Sequence, residues 1–193
     1  IRELLSFNSP ASTVRALVRD PAAGAALWSC GTGLSGDGRL ELAQGDLTQP
    51  ETVAAALTDI DVVTMAHSRR FGEASASAEL VDFGGTVTVC KAASAAGVSK
   101  LVYVSSNSVN RPDKTMVQLI NWMGGMGLAW KLRAEEAVRS SGIPYVIVRP
   151  VGLKDDLSPA RSTRAVVSIQ QTEFGLGTVT RTAVANLCVR ALV

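Results

Sequence analysis

Three apolar runs in this chain end in small or polar residues: Ala66-His67 after Asp61-Val62-Val63-Thr64-Met65, Ser105-Ser106 after Lys100-Leu101-Val102-Tyr103-Val104, and Arg149-Pro150 after Tyr145-Val146-Ile147-Val148. An imidazole, two hydroxyls and a guanidinium stationed where strands stop are suited to holding a polar ligand at one edge of a sheet. Hydrolysis through an activated serine fits poorly, because His67 is the only histidine and neither serine stands in a nucleophile elbow. Small hydroxyls at a strand end also have a plainer use, satisfying backbone groups. Lys131, on a helical stretch between the second and third runs, is by itself an ordinary solvated charge.

The elements that must position these groups are legible from the pattern. Residues 128–139 place Leu128, Leu132, Ala134, Ala137 and Val138 on one side of a helix and Lys131, Arg133, Glu135, Glu136 and Arg139 on the others. Gly142 can close that helix and Pro144 cannot continue it. The uniformly apolar, β-branched Tyr145–Val148 then predicts a strand covered on both faces. Upstream, Ile1–Leu5 starts an amphipathic helix, Val14–Val18 a strand ending at Arg19-Asp20, and Ala22–Trp28 a short helix. Arg39–Ala43 predicts a third strand that turns off at Gly45-Asp46. Thr48, as an N-cap with Glu51 completing a capping box, opens a helix through Leu57. A long helix ends at Gly97. Residues 110–127, rich in Met, Leu and Trp, predict core, with an apolar lid or a protein-docking surface over 116–126 as the alternative. Ala165–Ile169 predicts a further strand, and Thr180 caps a closing helix.

Composition bounds the function. The 193 residues, 47% hydrophobic and 19% charged, suffice for one domain with a core. A net charge of +2 gives no basic surplus for nucleic acid. Cys30, Cys90 and Cys188 are widely spaced with no CxxC, which disfavours a metal site and points to a reducing compartment. No run approaches the ~20 apolar residues of a membrane span. A soluble protein of the cytoplasm or an organelle interior, the plastid stroma included, is the expectation.

Strands alternating with helices predict a doubly wound, Rossmann-like parallel α/β sheet, and three strand ends on one rim make a nicotinamide dinucleotide the expected ligand. At the end of the second strand, where an acid would bind the ribose hydroxyls of NAD, stands Arg19. Its fork of donors suits the extra phosphate of NADP, so NADP(H) is favoured over NAD(H).

The pieces VRALVRD, GDL, VYVSS and AWKLRAEEAVRSSGIPYVIVRP resemble the atypical short-chain dehydrogenase/reductase superfamily, in its NmrA-like branch. The resemblance implies an NAD(P)-binding domain over residues 1–193. It places Asp46 near the adenine, Ala66 and His67 around the cofactor ribose, Pro150 and Val151 at the cofactor edge, and Ser105 or Ser106 as the substrate-orienting serine. Lys131 matches the lysine of the family's Tyr-x-x-x-Lys pair, which holds ribose and assists proton transfer. The tyrosine position is Gly127. An oxidoreductase lacking the usual tyrosine is implied, or a non-catalytic regulator, an assembly factor such as those of photosystem biogenesis, or a subunit of a larger complex. The resemblance also implies a first strand and a Gly-rich phosphate turn ahead of VRALVRD. Neither lies between Ile1 and Val14, so the chain reads as a piece of a longer one.

Overall fold

The computed structural model of the protein describes residues 1–6, 13–29, 38–69, 77–111, 113–155 and 177–192. The gap-spanning chain runs α1 (Arg2–Ser6), β1 (Val14–Val18), α2 (Pro21–Ser29), β2 (Leu40–Gln44), α3 (Pro50–Ala56), β3 (Val62–Met65), a π-helical segment (Glu79–Gly84), α4 (Gly85–Ala96), β4 (Lys100–Val104), α5 (Thr115–Met123), α6 (Gly127–Arg139), β5 (Tyr145–Val148), β6 (Gly152–Lys154), β7 (Thr178–Thr180) and α7 (Arg181–Leu192). Among the described residues every strand pairing is parallel, as the alternation of β-branched runs with amphipathic helices requires.

β4 is the centre. It pairs with β3 on one side and β5 on the other, with Val102 opposite both Thr64 and Val146. Leu101, Val102 and Tyr103 are all fully buried. The two-residue period of a strand sends Leu101 and Tyr103 into a core with Val53, Met65, Val89, Ala93, Ala134 and Val138, and Val102 into a second core with Val148, Val184 and Cys188. Helices therefore cover both faces, which is the doubly wound arrangement.

β1 and β2 form a separate pair, and among the described residues β1 and β3 are not hydrogen-bonded to each other. The two sheets still share one core, since Leu17 and Leu47 pack with Val63 and the residues behind β4. Arg15 reaches from β1 to the end of α3, donating to the carbonyls of Ala56 and Thr58 at 3.2 and 2.7 Å.

Several boundaries agree with the sequence pattern. Gly97 and Gly142 take left-handed φ of 73° and 76° where their helices stop, and the Thr180 hydroxyl caps α7 by accepting from Ala183 N–H at 3.2 Å. Three expectations are corrected. Thr48 does not cap α3: its N–H and hydroxyl both donate to Asp46 Oδ1 at 2.8 Å, so the helix opens at Gln49 with no side-chain cap. β5 is not covered throughout, for Tyr145 is 42% exposed and only Val148 is buried. In the 110–127 stretch, Val117 is core, while Met116, Leu119, Trp122, Met123 and Met126 are exposed. Apolar content alone cannot say whether a covering surface exists. The expected strand Ala165–Ile169 lies outside the described residues.

Candidate functional site

The rim at the carboxyl ends of β3 and β4 carries a cavity of about 220 Å³ lined by Ser68, Arg69, Ala78, Asp82, Ser106, Gly124, Gly127, Leu128 and Lys131. Four elements build it. The residues leaving β3 supply Ser68 and Arg69, the π-helical segment supplies Asp82, the end of β4 supplies Ser106, and α6 with its preceding turn supplies Gly127, Leu128 and Lys131.

α6 begins where it does because Asn121 Oδ1 accepts from the N–H groups of Leu128 and Ala129 at 3.0 and 3.3 Å. These are donors with no partner inside the helix. Gly125 and Met126 ahead of it take left-handed φ of 64° and 62°, a tight reversal that brings α5 against α6. Arg69 Nη2 donates across the cavity to Gly124 O at 3.1 Å.

Lys131 is the cationic wall. Its ammonium lies 3.1 Å from Asp82 Oδ1 and 3.5 Å from the carbonyl of His67, and sits over the Tyr103 ring at 5.8 Å from the centroid. Asp82 is 2% exposed; its Oδ2 accepts from Arg69 N–H at 3.3 Å and its carbonyl from the Thr86 hydroxyl at 2.8 Å. Because the Thr86 hydrogen is thus committed, Thr86 Oγ1 accepts from His67 Nε2 at 3.0 Å, fixing the histidine as the Nε2–H tautomer. Burial first, then the neighbouring Lys131 charge, push the His67 pKa down to about 4 against the opposing pull of Asp82. The imidazole is neutral at physiological pH.

The predicted site residues divide. Ser106 and Lys131 meet at the cavity. Ala66 and His67 end the adjacent strand, with the His67 carbonyl on the lysine. Ser105 does not line the cavity: 5% exposed, it lies beside the Glu135 carboxylate. Pro150 and Val151 follow β5 and do not line the cavity; the Pro150 carbonyl accepts from Asn107 N–H at 2.9 Å, tying the β5 end to the loop after Ser106. Asp46 and Arg19 stand at the ends of β2 and β1. Two donations from Thr48 hold the Asp46 pKa down, burial opposing and Arg19 assisting weakly. Leu47 links this pair to the cavity side, because a Cβ on Gly85, at the head of α4, would stand 3.0 Å from the Leu47 Cβ.

Two residues of the site escaped the sequence pattern. Asp82 lies ahead of the long helix that ends at Gly97, and a π-helical turn, a form often found at functional sites, places it under Lys131. Glu135 belongs to the helix face read as solvated, yet it is fully buried. Arg149 grips it through Nε and Nη2 at 2.8 and 2.6 Å, and Arg139 at 2.8 Å. Burial raises the Glu135 pKa, but the hydrogen bonds from Arg149 and Arg139 win and hold it below the usual range. Arg149 therefore locks the β5 end onto α6 rather than facing the ligand rim. The bidentate spacing of Glu135 and Arg149 was the one available signal, and it emerges only once α6 is packed on β5.

Tyr103 does not replace the missing phenol. It is fully buried, does not line the cavity, and burial raises its pKa well above the usual phenol value.

Comparison with known proteins is consistent with this geometry. Residues 1–193 match a family model described as NAD(P)H-binding. An uncharacterised chloroplastic protein of Arabidopsis thaliana is 34% identical over 169 residues, covering 83% of this chain and 58% of the relative. Protein TIC 62, chloroplastic, of Pisum sativum is 32% identical over 163 residues, 80% of this chain and 30% of the relative. Sanguinarine reductase of Eschscholzia californica is 26% identical over 183 residues, 79% of this chain and 67% of the enzyme. Among solved structures, a putative NAD-dependent epimerase/dehydratase from Bacillus halodurans superposes with a TM-score of 0.71 at 24% identity, covering 97% of this chain and 80% of that one, a likeness of fold. The chain spans 58% and 52% of the length of two chloroplastic Arabidopsis relatives.

Proposed function

The chain belongs to the NAD(P)H-binding family, of NmrA-like, atypical short-chain dehydrogenase/reductase type, and from that premise we propose an NADPH-dependent oxidoreductase that works without the usual tyrosine. The observation that carries this reading is the meeting of Ser106 and Lys131 at one cavity on the carboxyl rim of β3 and β4. A lysine ammonium has three N–H donors. One is directed to the His67 carbonyl while the ammonium pairs by charge with Asp82, which leaves an N–H for a ribose hydroxyl at the cavity wall. When bound, the reduced nicotinamide supplies a hydride. The chain's own residues orient the acceptor, with the Ser106 hydroxyl on the substrate oxygen, and the proton comes from Ser106, Lys131 or water. A cavity of this size takes one carbonyl- or quinone-sized group. Arg19, at the end of β1, supports NADP(H) over NAD(H) through its fit to a phosphate, with Asp46 at the adenine side and Ala66, His67, Pro150 and Val151 along the rim.

The test is thermal unfolding with NADPH or NADH, followed by NADPH oxidation with a naphthoquinone and an aromatic aldehyde. Protection at concentrations about 100-fold above Kd corresponds to about 2.7 kcal/mol, and NADPH should exceed NADH. Equal protection by both removes the NADP preference, and no protection removes the cofactor reading.

A second reading has its own observation. Gly127 offers no proton, and beside it Trp122 and Met123 are 75% and 62% exposed on α5. A cofactor-binding protein that docks a partner through residues 116–126, without turnover, fits both facts. The chloroplastic relatives make a plastid interior one setting for it. Among the described residues no helix is long and apolar enough to cross a membrane.

A further inference from the structure

Lys131 reaches its place on a flexible four-carbon stem whose ordering costs rotamer freedom. Its ammonium is nevertheless held in the ligand-free protein, with a side chain only 13% exposed, by one carboxylate oxygen and one carbonyl. The carboxylate is itself immobilised. Asp82 lies in the π-helical turn, its carbonyl takes the Thr86 hydroxyl, its Oδ2 takes the Arg69 N–H, and the following Gly85 packs directly on Leu47. Its Oδ1, shielded from solvent, has the lysine at 3.1 Å as its ionic partner and no hydrogen-bond donor in line. A buried acceptor in that state is costly unless a charge stands against it.

We propose that Asp82 is a positioning residue for cofactor binding: its carboxylate holds the Lys131 ammonium against the cavity wall with one N–H directed to the ligand. The inference rests on the dinucleotide reading and deepens it, assigning to the π-helical turn the task of pre-organising the lysine. Asp82 touches the lysine and acts through it. The charged and titratable groups facing Lys131 are Asp82 from the π-helical segment, His67 from the β3 end and Tyr103 from β4, with Arg69 across the cavity. His67 is neutral and Tyr103 is protonated at physiological pH. Asp82 is thus the group that fixes the ammonium by charge.

The consequence is a coupling that ordinary structural damage does not produce. NADPH affinity is measured by titration calorimetry on the full chain for the wild type, Asp82→Asn, Lys131→Met and the double variant, with the nucleotide-free thermal midpoint recorded for each. Asp82→Asn should weaken NADPH about tenfold in the wild-type background, within the range for contacting partners, and should have no further effect in Lys131→Met. Asp82→Glu, which keeps the charge on a longer stem, should recover part of the loss. A loss of equal size in both backgrounds, or no loss in either, overturns the role of Asp82 while leaving the cofactor reading intact. A wild type that binds no NADPH overturns both. A folding defect would register in the nucleotide-free midpoint and not as coupling between the two sites.

Discussion

Ser105 and Ser106 are adjacent in sequence and part at the end of β4: Ser105 is buried beside Glu135, and Ser106 lines the cavity with Lys131. Two hydroxyls of identical chemistry thus stand in different surroundings.

Exchanging each for alanine should therefore give different phenotypes. Ser106→Ala should lower NADPH oxidation with the naphthoquinone probe by about 10²-fold, the low end for a positioned acid or base, and leave the thermal midpoint unchanged. Ser105→Ala should cost about 1 kcal/mol of stability through the neighbouring carboxylate, with turnover little affected. Steady-state kinetics and urea unfolding on the two variants check this, and reversed phenotypes would refute the assignment.

The Glu135 cluster should dominate acid stability. Glu135→Ala, which leaves Arg149 without its bidentate partner, should cost about 3–5 kcal/mol. Because the folded Glu135 pKa lies below its ordinary value of 4.5, its contribution is fully present above that pH and is lost as pH falls through the folded value. Urea unfolding of wild type and Glu135→Gln should differ most above pH 5 and converge on acidification.

His67 should stay neutral far into acid. Its pKa is lowered from 6.5 to about 4, so the unfolded chain binds the proton first and stability falls as pH drops from 6.5 toward 4. With a single histidine in the chain, its ring carbon resonances give the titration without ambiguity. A midpoint near 6.5 would mean that the imidazole is not enclosed between Thr86 and Lys131.

Gly127 opens a gain-of-function test. A Cβ built there meets nothing within 4 Å, and it lies one helical turn before Lys131 at the cavity. Gly127→Tyr should fold normally. If the rim reduces carbonyls, the new phenol should raise turnover by about 10²-fold or more. Unchanged turnover alongside retained NADPH binding would favour the docking reading.

Arg19 should govern cofactor choice. Arg19→Ala should weaken NADPH by about tenfold, as expected for losing one charge-assisted pairing with phosphate, and leave NADH unchanged. Calorimetric titration with both nucleotides decides it.

The sequence by itself determined the parallel α/β class, the family and most element positions, because apolar periodicity, β-branched runs and Gly stops are properties of short segments. Val14–Val18 is a strand over those very residues, and Lys131 lines the cavity at the strand ends. Only the tertiary structure decided that Ser106 and not Ser105 meets Lys131, that Asp82 lies beneath it, and that Glu135 is buried while Trp122 is exposed. Each depends on partners far apart along the chain. Asp82 and Lys131 are joined by a π-helical turn packed on α6, and Glu135 and Arg149 by a helix laid on a strand. A side chain's polarity states what it needs, and the fold decides whether water or another segment supplies it.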